Sequence, residues 1–538
     1  MQPCDVFAAI GIMLLAGALS NKISSRFNVP ILILFLLFGG VLGYKYVPTK
    51  TSFFAVNAIG TIAMAFILFS GGLDTRFRNI KSVILPGGIL ATLGVLMTAF
   101  WLGIGVWYIA PEVLINSGEM GVEVVVSKWK LLSVALLLGA MVSSTDAAAV
   151  FAILSGKSVG LKGRLRPLLE LESGSNDPMA YFMTVLLVDI LSNRSSFGIV
   201  TIIDLVYRMA GGVFFGWLIG RISKMLFRIK LEYEGLYFVF NVATVLIAYG
   251  VTEVLGANGM MACYVCGVTM SHYCFNYQRS VSRFSDGVSW LMQVALFTSL
   301  GFFVDVKLLP SLLLKGVVLS LFLMFVARPL AVMVCMPPKW FSFKERLFVS
   351  WVGLRGAAPI VLATFPLAAF GTEPGDPAAR TLFNLIFIMV VVSLIVQGTT
   401  LMPLARKLKL DRPDVSRDRS PLELERTSES HGNTMFEFVI NPESVFDGKT
   451  LAELQMPSEL LVTMVRRKDK IIQPRGATRI QAGDGVTIMG DHKVLTDFAA
   501  VHFPDQYAEL GTASDDEGNL KLNDLLKLPP GLRKEKSR

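Results

Sequence analysis

Two short runs place oxygen-bearing side chains inside otherwise apolar sequence. MVSSTDAAAVFAIL sets Thr145 and Asp146 among small residues, and LLELESGSNDPMAYF gathers Glu170, Glu172, Ser173, Asn176, Asp177 and Pro178. In a helix Ser173 and Asp177, at i and i+4, share one face. Glu172 and Asn176 share a second face, rotated from the first by about 100°. Pro178 removes a backbone donor and loosens the helix there. Hydroxyl, carboxylate and freed carbonyl are hard oxygen ligands suited to a bare monovalent cation. Burial disfavours the charged form of a carboxylate, so one Asp can hold either a cation or a proton. The plainer alternative is that Asp146 and Asp177 cap broken helices or pair structurally. A third run, WVGLRGAAPIVLATFP, places Arg355 between glycines and ahead of Pro359 and Pro366. Its guanidinium suits half-helix ends and the carboxylates, or a structural ion pair with Glu172 or another acid. Arg328, next to Pro329, reads as structural, and Asp74 in FSGGLDTRFR as a cap at a helix end.

The elements that must position these residues follow from composition. The chain has 538 residues, 53% hydrophobic and 17% charged, with a mean hydropathy of +0.58. Soluble domains average about 25% charged residues, so a wholly soluble protein is excluded. Residues 1–406 hold 30 Lys/Arg and 19 Asp/Glu, whereas 407–538 hold 20 and 22. The positive surplus therefore sits between apolar runs, which makes nucleic acid a poor partner and excludes an acidic disordered chain. A bilayer core needs roughly 20 apolar residues per helix. Such runs fall near 5–23, 29–45, 55–73, 83–109, 130–154, 165–192, 205–228, 235–253, 258–275, 285–303, 311–335, 345–368 and 381–406. The N-terminus lacks a basic patch and carries Asp5, so 5–23 is expected as a span rather than a signal peptide.

Thirteen spans put the two ends of the chain on opposite sides. Loops after odd-numbered spans carry 18 Lys/Arg and the opposite loops nine, which places the N-terminus outside and residues from 406 onward in the cytoplasm. Residues 407–434 mix both signs with Pro and Ser and read as a flexible charged linker. Residues 435–504 change to short β-like runs broken by Asp447-Gly448 and Gly483-Asp484-Gly485, followed by a helical DHKVLTDFAAVHF, a small α/β domain. Residues 505–538 read as a disordered tail. Cys263 and Cys266 form a CxxC inside an apolar run and read as small residues for helix packing. The four His form no cluster, and neither a metal centre nor a cofactor is expected.

Thr145-Asp146 in the fifth span, the ESxxND of the sixth and the Gly-Leu-Arg-Gly of the twelfth together resemble the sodium (potassium)/proton antiporters of the monovalent cation:proton antiporter-1 family. The resemblance covers residues 5–406. It implies an all-α polytopic membrane protein of about thirteen helices, with inverted repeats and crossed broken helices, working as a homodimer in which a core domain moves against a dimerisation domain. It also implies roles: Asp177 binds cation and proton alternately, Ser173 and the main chain near Thr145 complete the cation site, and Asp146 sits in the crossing helix. Glu172 and Asn176 brace the fold, and Arg355 is the buried arginine of the second crossing helix. Asn176-Asp177 rather than two Asp is the signature of the electroneutral branch. Ser70 departs from relatives that carry an acid in the third span. The GKTLAELQMP and IQAGDGVTIMG runs resemble a TrkA-C module, which implies a small regulatory ligand and the cell-volume-regulation type of potassium/proton antiporter of the bacterial inner membrane. The expected substrates are H⁺ and K⁺ or Na⁺, with K⁺ favoured by the appended module.

Two other classes compete. A gated cation channel with a regulatory domain needs a filter of repeated carbonyls, and no TVGYG-like loop occurs. A membrane-embedded enzyme is disfavoured because there is no HExxH and GSNDP is not a GxSxG elbow.

Overall fold

The computed structural model describes residues 50–75, 80–109, 128–155, 159–192, 198–229, 231–272, 277–301, 303–370, 377–413, 433–441, 444–454, 456–467 and 470–503, with fragments of 11–15 and 34–40. Most of the expected spans 5–23 and 29–45, residues 414–432 of the expected linker and the tail 505–538 lie outside the described residues. The chain divides into two compact units, with the change along the sequence at Ser416–Arg417.

The first unit is helical. Helices α1 (Lys50–Asp74), α2 (Ile84–Ile109), α3 (Lys128–Val142) and α4 (Ala147–Ser155) precede the short strand β1 (Val159–Leu161). Then come α5 (Leu165–Leu191), α6 (Ile199–Phe227), α7 (Gly235–Val254), α8 (Gly259–Ser271) and α9 (Gln278–Gly301). The series ends with α10 (Leu309–Cys335), α11 (Phe343–Trp351), α12 (Ala357–Phe370), α13 (Pro377–Leu408) and strand β2 (Asp411–Pro413). Among the described residues, six helices are long and apolar enough to cross a membrane: most of α1, and α2, α6, α7, α10 and α13. α6 presents Ile203, Val206, Trp217 and Met225 to the exterior, an apolar face suited to lipid.

Two of the apolar runs do not form continuous helices. The run 130–154 breaks at residues 143–146, between α3 and α4, and the run 345–368 breaks at 352–356, between α11 and α12. Unwound backbone at membrane depth survives only where protein satisfies it, and here each break satisfies the other: Asp146 N donates to Leu354 O at 2.8 Å. In α10 the ladder passes through a π turn at Leu323–Ala327 just before Arg328-Pro329, where proline cannot donate.

The helices pack in two groups. α1, α6, α7, α8 and α9 form one, and α2, α3, α5, α10, α12 and α13 the other. α1 and α8 approach so closely that a Cβ on Gly72 or Gly267 would run into the opposite backbone.

The stretch read as a flexible linker begins in regular structure. α13 runs to Leu408, and β2 pairs antiparallel with β1, Val159 opposite Pro413 and Leu161 opposite Asp411. Lys162 N adds a bond to Leu410 O at 3.0 Å. Three-residue strands some 250 positions apart carry no local signal, which is why charge and composition alone suggested coil.

The second unit holds a four-stranded antiparallel sheet in the order β3-β6-β4-β5, where β3 is Asn433–Val439, β4 Leu460–Arg467, β5 Lys470–Ile472 and β6 Gly485–Asp491. Helix α14 (His492–His502) follows. Gly448 and Gly483, the turn glycines read from sequence, have φ of 77° and 88°. Phe438 stacks on Phe503 at 4.5 Å within the core. Arg467 grips buried Asp484 with two bonds of 2.8 Å, and this contact raises the guanidinium pKa above its ordinary value.

Candidate functional site

The helical periodicity of LLELESGSNDPMAYF is realised in α5, and its two polar faces have separate surroundings. On one face, buried Glu172 pairs with Arg328 of α10, and buried Asn176 donates through Nδ2 to Thr145 Oγ1 at 2.6 Å. The ion pair of Glu172 therefore goes to Arg328 and not to Arg355, the partner that sequence left open. On the other face, Ser173 Oγ donates to Thr145 O at 2.9 Å and accepts from Ala147 N at 3.0 Å. Asp177 lies one turn further along.

The break at 143–146 is thus stitched to α5 by its own backbone. Asp146 Oδ1 accepts from Ala149 N at 3.0 Å, capping α4, so the capping role considered for Asp146 is present. The carboxylate fills the space over Gly356, where a Cβ would collide with it. Arg355 Nη1 donates to Ser143 O and Ser144 O, each at 2.6 Å. A cation at those carbonyls offsets the negative end of the α3 dipole. The second break is secured from α13: Arg355 N donates to Ser393 Oγ at 3.2 Å, and Gln397 Nε2 donates to Trp351 O at 2.9 Å.

A cavity of about 300 Å³ lies against this junction. α5 contributes Arg166, Glu170, Ser173, Gly174 and Asp177, and the first break contributes Ser144, Thr145 and Asp146. The opposite wall comes from Gly71 and Asp74 of α1, Thr75 just after it, Tyr264 of α8 and Gln293 and Phe297 of α9. The cavity is therefore shared by both helix groups. Among its polar atoms Asp177 Oδ1 is buried without a hydrogen-bond partner among the described residues, and the Ser144 hydroxyl stands beside the Asp177 carboxylate. At the N-terminal end of α5, Arg166 pairs with Glu170 at 2.9 Å and lies over the Phe151 ring.

Of the residues singled out by sequence, Asp177, Ser173, Thr145 and Asp146 line the cavity, while Glu172, Asn176 and Arg355 stand behind it. Asp74, read as a cap, also lines the cavity. Ser70 does not; its hydroxyl donates to Asp286 at 3.1 Å on α9. Tyr264, Gln293 and Phe297 escaped sequence reading because neutral residues in apolar runs give no signal. Cys263 and Cys266 are buried free thiols in α8, as packing residues would be.

A sodium/hydrogen exchanger transmembrane family model matches residues 10–407, and a TrkA-C domain model matches 435–501. The chain is 34% identical over 502 residues to the K(+)/H(+) antiporter NhaP2 of Shewanella baltica, covering 91% of this chain and 81% of that one. It is 33% identical over 522 residues to the K(+)/H(+) antiporter NhaP of Alkalimonas amylolytica, covering 96% and 86%. Among solved structures, the sodium proton antiporter MjNhaP1 of Methanocaldococcus jannaschii at pH 8 superposes with a TM-score of 0.59 at 23% identity, covering 74% of this chain and all of that one. At that identity the likeness bears on the fold.

Proposed function

The chain belongs to the sodium/hydrogen exchanger family, a family of transporters, and from that premise we propose that it exchanges K⁺, or Na⁺ less readily, for H⁺ across the bacterial inner membrane. The exchange is one for one, by alternating access, with Asp177 holding cation and proton in turn. The observation that carries this reading is a carboxylate oxygen on buried Asp177, Oδ1, left without a hydrogen-bond partner among the described residues in a cavity where the Ser144 hydroxyl stands beside the same carboxylate. Such oxygens are hard ligands for a desolvated alkali cation, and a lone cation and a proton compete for the same lone pairs. Asn176 beside Asp177 carries no titrating charge, so the pair offers one site for one ion. The relatives named as K(+)/H(+) antiporters support K⁺ as the cation.

The Lys/Arg distribution supports an N-terminus outside and a cytoplasmic C-terminus. On that orientation the Asp177 cavity, which carries Asp74 and Arg166 at the end of α1 and the start of α5, faces the cytoplasm. The protein acts as a homodimer, and residues 435–504 regulate it through a small ligand; 407–434 link the two parts. Everted vesicles test the reading: adding K⁺ to a preformed proton gradient dequenches a pH dye in the unaltered protein, and Asp177→Asn abolishes this. Dissipation without stoichiometric counterflow would overturn it in favour of a channel. Regulation is tested by comparing pH and ligand profiles of the full chain and a chain ending after Ser416; superimposable profiles would refute it.

A further inference from the structure

A second cavity, of about 520 Å³, lies at the opposite end of α5 from the Asp177 cavity. Tyr181 and Asp189 of α5, Asp204 and Arg208 of α6, Glu253 of α7 and Asn258 line it. Arg208 is held by Asp204 at 2.8 Å, and Glu253 accepts from Gly259 N at 3.1 Å. Along α5 the linings of the two cavities are separated by one turn, from Asp177 to Tyr181.

One side chain from the other helix group fastens that turn. Asn258, buried and just ahead of α8, donates through Nδ2 to the carbonyl of Pro178 at 3.0 Å. Its Oδ1 accepts from Met261 N at 3.0 Å, capping α8. Its backbone N donates to Arg208 O at 3.0 Å, which ties it to α6. Asn258 is thus fixed within its own group by these bonds, by the bond of Ala262 N to its carbonyl at 3.1 Å and by a weak Nδ2 contact to Met209 Sδ at 3.9 Å, and it reaches across to α5 with the bond to Pro178. The point it reaches is the residue after Asp177. Pro178 supplies no N–H to the ladder, so the helix is weakest there and an external bond has most leverage.

We infer that Asn258 is a positioning residue for transport, a latch whose bond to Pro178 keeps Asp177 closed to the second cavity, and that this cavity is the vestibule by which the hydrated cation reaches Asp177 from the other side. Exposure of Asp177 to that side requires α5 to shift against α8, and the Asn258–Pro178 bond is broken as it does. The inference rests on the alternating-access reading above.

The cap and the latch use different atoms, so they can be separated. Asn258→Ser keeps an N-cap oxygen but lacks the donor and the reach, and Asn258→Asp keeps the shape and the cap but cannot donate when ionised. In the full-length protein, apparent KM for K⁺ is measured in everted and right-side-out vesicles at matched amounts of folded protein. Loss of one buried hydrogen bond should move the ratio of the two KM values about five-fold, in favour of the second-cavity side. A ratio unchanged in both variants, with only Vmax or protein yield reduced, would overturn the latch and leave Asn258 a helix cap. A second measurement is independent of turnover. With the native cysteines replaced, a membrane-impermeant maleimide applied from the second-cavity side should modify Ser173→Cys about five-fold faster when Asn258→Ser is also present. An unchanged rate would overturn the inference. Absence of counterflow in the unaltered protein is a different result, and would instead remove the antiport reading itself.

Discussion

Along α5, Glu172 and Asn176 point into packed protein, whereas Ser173 and Asp177, one position further on in each case, line a cavity. Each face carries one acid and one neutral polar residue. On the first the acid is neutralised by Arg328 and the amide nitrogen donates to Thr145, while Asn176 Oδ1, an uncharged oxygen, is left without a partner among the described residues. On the second the hydroxyl is bonded to the chain break, and the acid keeps an oxygen without a partner. The difference lies in the surroundings rather than in the residue types. A buried acid with an arginine partner holds α5 and α10 together; the same acid left partly unpaired beside a cavity is available to an ion.

The comparison would break most visibly at Asp177. Asp177→Asn is expected to lower exchange by at least about 100-fold, because an amide can neither release a proton nor supply charge. Thermal stability in detergent should stay near that of the unaltered protein. Wild-type exchange by a well-folded variant would erase the distinction between the faces. The converse experiment is Glu172→Gln, which leaves Arg328 buried without its counter-charge, at a cost of about 3–5 kcal/mol. Here yield and melting temperature should fall, and a second change, Arg328→Met, should restore much of the loss. If the single variant were as stable as the parent, the first face would not be a brace.

Smaller effects sharpen the picture. Ser173→Ala removes one hydroxyl that bridges Thr145 O and Ala147 N, a net contribution of about 1 kcal/mol. Apparent KM for the cation should rise several-fold with little change in Vmax, measured by dye dequenching against K⁺ concentration. The reverse, a fall in Vmax at constant KM, would place Ser173 with the brace instead. The least change is expected from voltage. Since Asn176 adds no titrating charge beside Asp177, clamping the membrane potential with valinomycin at fixed cation gradients should leave initial rates unaltered. A clear voltage dependence would show that a second charge moves with the ion.

Much of this was legible in sequence because helical periodicity is local. The spacing of Glu172, Ser173, Asn176 and Asp177 assigns both faces before any fold is known, and the Ser-Ser-Thr-Asp and Gly-Leu-Arg-Gly runs mark where the two spans come apart. Partner choice was not legible. Glu172 lies 156 residues from Arg328, and nothing in either local run distinguishes Arg328 from Arg355 as its counter-ion. The far wall of the cavity was also hidden. Tyr264 and Phe297 belong there because close packing of α1 on α8 and α9 brings them round, and glycine contacts such as Gly72 on Gly267 decide that approach. Asp74 was visible as a charge at a helix end, but its place in the cavity wall depends on what faces it from other helices.

The pairing of β1 with β2 has a mechanical consequence. β1 sits in the connection between α4, the half-helix that begins at the cavity, and α5, which carries Asp177. β2 lies just beyond α13, and the chain from there leads to the sheet unit. With the ladder bonds and the Lys162–Leu410 bond in place, tension on the chain at Pro413 is carried in shear by the strand pair and delivered to the α4–α5 connection, instead of being absorbed by slack sequence. The end of the helical unit is therefore anchored about fifteen residues along the chain from the Asp177 carboxylate, at a point where a pull along the strand bears on both α4 and α5.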